Sequence, residues 1–286
     1  MKILVLPGMG DILWVATFLQ SFIATHDLGV PEVYIWDFDG RKRSLEYVER
    51  IPFVRAAGYF EHPNSHPAFG PSYHGRRHQS IHTDVLGHDY YLAVNAALRW
   101  GSSIPEAVPY DVDWYFPLVQ TEAETQWGET YRRRYKDYIV AHFSEFGMFK
   151  HWVRAWQAKG CAAFINSVQN RTGLPVLLTG SAWDQPLNEE LAKRTGAVNL
   201  CGETDLDQFF GLFRNAKGCA GWCGGNTIQS TVLKVPTLIA WSDYFPDPRF
   251  FKNACPPDAW ENWYRAVNVD HVSPYAAADT FVELLT

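Results

Sequence analysis

The sequence predicts an α/β protein made of two doubly wound halves, and two observations lead to this prediction. Short apolar runs alternate with segments of helical spacing, most clearly after residue 136. Such alternation is typical of a parallel sheet, because each strand is followed by a crossover helix. The chain has 286 residues, which is enough for two domains. We place them at residues 1–135 and 136–286.

The first half opens with a strand, a glycine turn and a helix. The apolar run Lys2–Leu6 leads into the turn 7–11, and apolar residues then recur at helical spacing from Ile12 to Ile23. A second apolar run at Val33–Trp36 completes a βαβ unit. The segment His62–His88 holds six of the ten histidines among prolines and glycines, and it predicts a long loop. Residues 89–94 predict a further strand.

The second half alternates without a break. Strands are predicted at Tyr138–Phe143, Val176–Thr179, Val198–Cys201 and Pro236–Trp241, with a strand of small residues before Trp222. Helices are predicted between residues 155 and 168, at Asn188–Arg194, at Asp205–Arg214 and at Thr227–Leu233. Apolar residues in Ser273–Leu285 favour a last segment that packs back across the two domains.

Composition excludes several classes of protein. A net charge of −6 argues against non-specific electrostatic binding of nucleic acid, although a local basic patch is still compatible with it. No apolar run reaches 18 residues, so no transmembrane helix and no stable membrane insertion are predicted. The five cysteines are odd in number and demand no disulfide framework, which favours the cytoplasm.

Three glycine-containing turns follow predicted strands, where ligands of doubly wound sheets bind. In Gly8–Asp11 the aspartate falls at a helix start, as an N-cap or as a general base that points into a cleft. The turn Gly180–Asp184 could hold the base or ribose of a nucleotide, or no ligand. In Gly224–Thr227 the first N–H groups and the helix dipole favour a diphosphate.

Familiar catalytic and metal motifs are missing from the sequence. There is no GxGxxG fingerprint, no P-loop and no GxSxG elbow. Cys219 and Cys223 are separated by three residues. They form no CxxC pair and have no adjacent histidine, so we predict no zinc site there. The histidine-rich segment 62–88 remains open as a metal site, a substrate loop or neither.

In chain order, these turns resemble the motifs of the inverting ADP-heptose:lipopolysaccharide heptosyltransferase family. The resemblance spans most of the chain and is better in its second half. It rests on Gly10-Asp11 after the first strand, His142 followed by Lys150-His151-Trp152, Thr179-Gly180 with Asp184, and Asn199-Leu200-Cys201-Gly202-Glu203-Thr204-Asp205-Leu206. The last family motif, Asp-Ser/Thr-Gly-x-x-His, departs here: Cys223 and Ile228 replace its Asp and His, while Gly224-Gly225 and Pro236-Thr237 remain.

The resemblance implies a GT-B fold, in which two Rossmann-like domains face each other across a cleft. The first domain would bind the acceptor, and the second a nucleotide-diphosphate sugar. Asp11 would be the catalytic base of a metal-independent, inverting transfer that needs no cofactor. The implied donor-binding residues are Gly10, Lys150, Thr179, Gly180, Ser181, Asp184, Thr204, Gly224, Gly225, Asn226 and Thr227.

Two other functions remain open at this stage. The missing Asp and His favour a non-catalytic sugar- or nucleotide-binding protein, and a nucleotide-sugar epimerase is a second alternative of the same fold. The acceptor of a transferase would be a saccharide or a glycolipid. Arg76-Arg77 in the long loop suits an anionic acceptor, whereas the acidic net charge disfavours a modified nucleic acid.

Overall fold

The computed structural model describes residues 2–5, 8–27, 29–37, 42, 44–60, 81–82, 90–93, 111–144, 150–243 and 255–286. For 81–82, 90–93 and 150–155 it describes the backbone alone. The chain divides into two compact units, the first within Met1–Gln120 and the second from Thr121 onward. Apart from 81–82, the histidine-rich segment 62–88, with Arg76-Arg77, lies outside the described residues.

The first unit holds a sheet in the order β3-β2-β1-β5-β4. Its strands are β1 (Lys2–Val5), β2 (Glu32–Trp36), β3 (Arg55–Phe60), β4 (Ile81–His82) and β5 (Tyr90–Ala93), of which only β4 pairs antiparallel. Among its described residues, this unit has the helices α1 (Met9–His26) and α2 (Leu45–Glu49). Helix α1 is apolar on most sides and buried.

The second unit holds a six-stranded parallel sheet in the order β11-β10-β9-β6-β7-β8. Its strands are β6 (Ile139–His142), β7 (Val176–Thr179), β8 (Val198–Asn199), β9 (Gly218–Trp222), β10 (Thr237–Trp241) and β11 (Tyr264–Asn268). The helices described in this unit are α3 (Glu122–Tyr135), α4 (Lys150–Thr172, broken at Gln157), α5 (Gln185–Thr195), α6 (Leu206–Arg214), α7 (Gly225–Val232), α8 (Pro257–Asn262) and α9 (Pro274–Leu285). The predicted doubly wound architecture is confirmed.

The strand order itself marks a place for a ligand. The chain moves outward from β6 through β7 to β8, and then returns to the other side of β6 to build β9, β10 and β11. The direction of winding therefore reverses between β6 and β9. In open α/β sheets, the crevice beyond the carboxyl ends of the strands at this reversal is where ligands bind.

Helix α3 belongs to the second unit, whereas the sequence interpretation assigned it to the first domain. It packs on α6 through two glycines, and a Cβ added to Gly211 would lie 2.6 Å from the carbonyl oxygen of Glu124 and 2.8 Å from the nitrogen of Gly128. The carboxylate of Glu124, whose residue is 1% exposed, pairs with Arg214 on α6. Close backbone packing and a buried ion pair thus fix α3 to this unit.

The last helix, α9, packs on α4 within the second unit. The rings of Phe281 and Phe164 lie 6.1 Å apart, and Asp279 pairs with Arg171. Just before α9, the indole N–H of Trp156 donates to the carbonyl of Val272 at 3.0 Å. The C-terminal segment, which the sequence predicts to pack back across the two domains, is therefore a helix in the core of the second unit.

Replacing Gly211 with alanine should destabilise the second unit. The added methyl group would meet backbone atoms of α3, which have no rotamer to change, so the two helices must separate. Overpacking of this kind costs about 1–3 kcal/mol. Urea unfolding monitored by circular dichroism measures the change. The matched control is Glu129→Ala on the exposed face of α3, and equal stability of the two variants would contradict the close contact.

Candidate functional site

Asp11 lies in the first turn of α1, the helix that follows β1 in the chain. Gly8, and not Asp11, is the N-cap residue, which corrects the N-cap interpretation of this aspartate. Gly10 is the second helical residue and is buried. A Cβ at Gly8 would overlap Oδ2 of Asp11, so the carboxylate folds back over the glycine. Asp11 is partly exposed in the first turn of α1, at the positive end of the helix dipole.

The turn after β7 is organised by the buried carboxylate of Asp184, a residue that is 3% exposed. One oxygen accepts the hydroxyl proton of Ser144, and the other accepts the backbone N–H of Ser181 at 2.9 Å. Gly180 has φ +159°, and a Cβ there would lie 2.7 Å from the second oxygen. The carboxylate therefore holds the turn together from inside. Thr179 is also buried, whereas Gly180 and Ser181 are partly exposed.

The turn after β8 lies directly against the turn after β7. The N–H of Gly202 donates to the carbonyl of Gly180 at 2.9 Å. Gly202 has φ +74°, and a Cβ there would lie 3.1 Å from Cα of Ala182. Thr204 follows on this turn and is partly exposed. Two separate sequence predictions, around Gly180 and around Thr204, thus fall in one place.

The glycine turn after β9 leads into α7 beside the reversal point. Gly224 is the N-cap in an extended conformation. The buried hydroxyl of Thr227 accepts the N–H of Gly224 at 3.1 Å and donates to the carbonyl of Trp222 at 2.8 Å. Thr227 therefore stabilises the turn, while Gly225 and Asn226 are partly exposed at the start of the helix. N–H groups of a first helical turn have no acceptor within the helix and suit an anion.

His142 and Ser144 at the end of β6 received no role in the sequence-based site. Nδ1 of the buried His142 lies 3.0 Å from the carbonyl oxygen of Thr179. A carbonyl only accepts, so Nδ1 carries a proton in this contact. The signal that could have found both residues is their position at the end of a strand bordering the reversal point.

These side chains do not form a Ser-His-Asp triad. Such a triad directs Nδ1 of the histidine at the carboxylate. Here Nδ1 of His142 instead meets the carbonyl of Thr179, and the carboxylate of Asp184 accepts from Ser144. The arrangement favours ligand binding at this edge over acyl transfer.

The cysteines near the site are protonated. All five cysteines of the chain are free and buried. Burial raises the pKa of Cys223 far above its ordinary value, with a smaller contribution from Cys255. Burial also raises the pKa of Cys201 to about 12, assisted by Asp184 and Glu203. Cys223, which replaces the aspartate of the family motif, is therefore uncharged at neutral pH.

The side chain of one predicted site residue lies outside the described part of the chain. Lys150 is the first residue of α4, but its side chain lies outside the described residues. Within the described ranges, no group of three or more His, Cys, Asp or Glu side chains is placed to hold a metal ion. In the same part of the chain, no helix is long and apolar enough to cross a membrane.

No protein-family model and no curated protein matches the chain, but solved structures match its whole length. The structure of E. coli ADP-heptose LPS heptosyltransferase II has a TM-score of 0.63 at 16% identity and covers 100% of this chain and 98% of its own. A family 9 glycosyl transferase from Veillonella parvula DSM 2008 has a TM-score of 0.66 at 12% identity, with 99% and 96% covered. E. coli heptosyltransferase WaaC with ADP has a TM-score of 0.58 at 11% identity, with 100% of both chains covered.

The chain has a GT-B-like fold. The resemblance seen in the sequence motifs is thus confirmed at the level of the fold. In this GT-B-like fold, the predicted donor residues after β7, β8 and β9 lie at the carboxyl edge of one sheet. Gly10 and Asp11 stand at the carboxyl edge of the other sheet, in the first unit.

Changing Asp184 to asparagine should destabilise the second unit. An amide offers one acceptor oxygen, so its NH₂ group would face either the hydroxyl of Ser144 or the N–H of Ser181. A buried donor left without an acceptor costs about 1–3 kcal/mol. The midpoint of urea unfolding reports the loss. Asp137→Asn is the control, because Asp137 is 61% exposed and its ion pair with Lys217 contributes little. An unchanged midpoint in Asp184→Asn would contradict the structural role of the carboxylate.

Proposed function

We propose that this protein is an inverting glycosyltransferase that moves a sugar from a nucleotide-diphosphate sugar to an acceptor hydroxyl without a metal ion. The observation that carries the proposal is the glycine turn Gly224-Gly225, which opens α7 beside the point where the strand order reverses. The similarity of the fold to solved heptosyltransferases supports it.

The geometry of the glycine turn supports a diphosphate as its ligand. The first N–H groups of α7 and the helix dipole attract negative charge. The buried hydroxyl of Thr227 stabilises the turn by hydrogen bonds to its backbone. Departure of a nucleoside diphosphate concentrates negative charge at this end of the donor, so the turn would stabilise the transition state. By resemblance, Lys150 would supply a cation. ADP is the first nucleotide to test, because it accompanies one similar structure.

Asp11 is the base of the proposed reaction. Its carboxylate would take the proton of the acceptor hydroxyl while the oxygen attacks the anomeric carbon and the diphosphate leaves. A single displacement inverts the configuration at that carbon. The acceptor would be a saccharide or a glycolipid.

A non-catalytic nucleotide- or sugar-binding protein is the second candidate. One observation favours it: Cys223 and Ile228 stand where the family motif has Asp and His, and both are buried and uncharged. This candidate predicts binding of the nucleotide without turnover, whereas the transferase predicts both.

Binding of nucleoside diphosphates tests the donor site. At 100 times its dissociation constant, a ligand stabilises the protein by about 2.7 kcal/mol. At about 2–4 °C per kcal/mol, one member of a panel of ADP, UDP, GDP and CDP should raise the melting temperature by several degrees. Asn226→Asp should weaken this binding at least about ten-fold. The new charge suits a first helical turn but repels a diphosphate.

Asn170→Asp is the matched control, because it adds the same charge on the exposed part of α4. It should bind the nucleotide as the unaltered protein does. A protein that is stabilised by no nucleoside diphosphate would contradict the proposed donor site and, with it, the transferase.

Asp11→Asn tests the catalytic base. The amide keeps the shape of the side chain but accepts no proton, so the transfer rate should fall by about 10²–10⁴, while the nucleotide-induced thermal shift remains. Release of nucleoside diphosphate in the presence of saccharide and glycolipid acceptors measures the rate. Asp27→Asn is the control, because Asp27 is exposed at the other end of α1 and asparagine tolerates its left-handed φ of 51°. Full transfer by Asp11→Asn would exclude its role as base.

A further inference from the structure

Trp183 is a large aromatic side chain at the edge of the candidate donor site. It lies in the middle of the short 3₁₀ turn Ala182–Asp184, which follows β7 directly, and it is 41% exposed. Trp127 on α3 is similarly exposed at 36%, but it lies on a helix and not in a turn that follows a strand. Trp183 is thus distinguished by its place at the carboxyl edge of the sheet.

The backbone that carries Trp183 is fixed on both sides. The N–H of Asp184 donates to the carbonyl of Ser181 at 2.9 Å, and the carboxylate of Asp184 accepts in return from the N–H of Ser181. Ala182 packs against Gly202 on the neighbouring turn. Because the turn is anchored in this way, a partly exposed ring would bind a flat ligand with little loss of conformational freedom.

The strand order separates the turn that carries Trp183 from the glycine turn by two strand positions. Trp183 follows β7 and the glycine turn follows β9, with β6 between them. Two strand spacings correspond to about 9.5 Å. A diphosphate bound at Gly224-Gly225 would therefore reach the indole through its ribose and base, and the transferred sugar would extend from the other phosphate.

We propose that Trp183 stacks on the nucleobase of the donor nucleotide. The inference rests on the proposed function, because it places the diphosphate at the start of α7. The ring provides a flat π-face, which every base can use, so Trp183 contributes affinity for the nucleoside more than selection among bases. Asp184, the acidic residue of the same turn, uses both its oxygens inside the protein. The outward contribution of this turn is therefore aromatic and not ionic.

Titration calorimetry with two probes tests the proposal. Trp183→Ala should weaken binding of the nucleoside diphosphate found in the panel about ten-fold or more, and should leave binding of inorganic pyrophosphate unchanged. Trp183→Phe should keep most of the affinity. The matched control is Trp127→Ala, which removes an equally exposed indole of the same unit and should bind both probes normally.

The outcomes separate this inference from the proposed function. Normal binding of the nucleoside diphosphate by Trp183→Ala overturns the stacking role and leaves the donor site standing. If the unaltered protein binds no nucleoside diphosphate, both proposals fail. If Trp183→Ala also loses pyrophosphate, or if pyrophosphate binds too weakly to measure, Trp183→Leu decides. Leucine keeps apolar bulk without a π-face, so weaker binding by Trp183→Leu than by Trp183→Phe supports stacking, and equal binding overturns it.

Discussion

The buried carboxylate of Asp184 is the interaction on which the second unit's ligand edge depends. The carboxylate links Ser144 at the end of β6 to the backbone of the turn after β7. The side-chain amide of Asn188 on α5 donates to the backbone carbonyl of Asp184 at 2.8 Å. A polar side chain at 3% exposure is tolerated because each of its oxygens accepts a hydrogen bond. Trp183 and Gly202 are positioned by the same turn.

A similar internal arrangement supports the glycine turn. Helix α7 buries several polar side chains, among them Thr227 and Ser230, and their hydroxyls are bonded to nearby carbonyls. The hydroxyl of Ser230 also lies 2.7 Å from that of Thr237 on β10. These bonds replace apolar packing at the place where the helix begins and leave Gly225 and Asn226 facing outward. The buried hydroxyls therefore hold the turn from inside, while the first residues of the helix stay partly exposed.

The architecture could be predicted from the sequence because it depends on periodicity. The apolar runs of β6, β7 and β10 and the helical spacing of α1 and α6 identify a doubly wound protein before any coordinates are known. The assignment of α3 could not be predicted in this way. It depends on two glycines, Gly128 and Gly211, which meet where the two helices pack. Glycine has no side chain, so this contact leaves no hydrophobic pattern in the sequence. Strand β11 is also not evident in the sequence. It lies at the edge of the sheet and its residues differ in burial, so they form no continuous apolar run.

For the site, the sequence located the turns but not the direction of their side chains. The turns after β7, β8 and β9 were all predicted, and the fold brings them to one edge. Asp184 and Thr227 were assigned to the donor, yet their polar atoms hold the turns from inside. Roles for His142 and Trp183 require knowledge of hydrogen-bond partners and exposure, which a linear pattern does not contain.

The uncharged Cys223 changes the electrostatic potential at the start of α7. Where the family motif carries a carboxylate, this chain carries a protonated thiol, so position 223 itself contributes no negative charge that would offset the positive end of the helix dipole. The turn would therefore attract ligands in proportion to their negative charge, and a diphosphate would be preferred to a monophosphate more strongly than beside a carboxylate. The residue at position 223 would thus tune how strongly the proposed donor site prefers a ligand of higher negative charge.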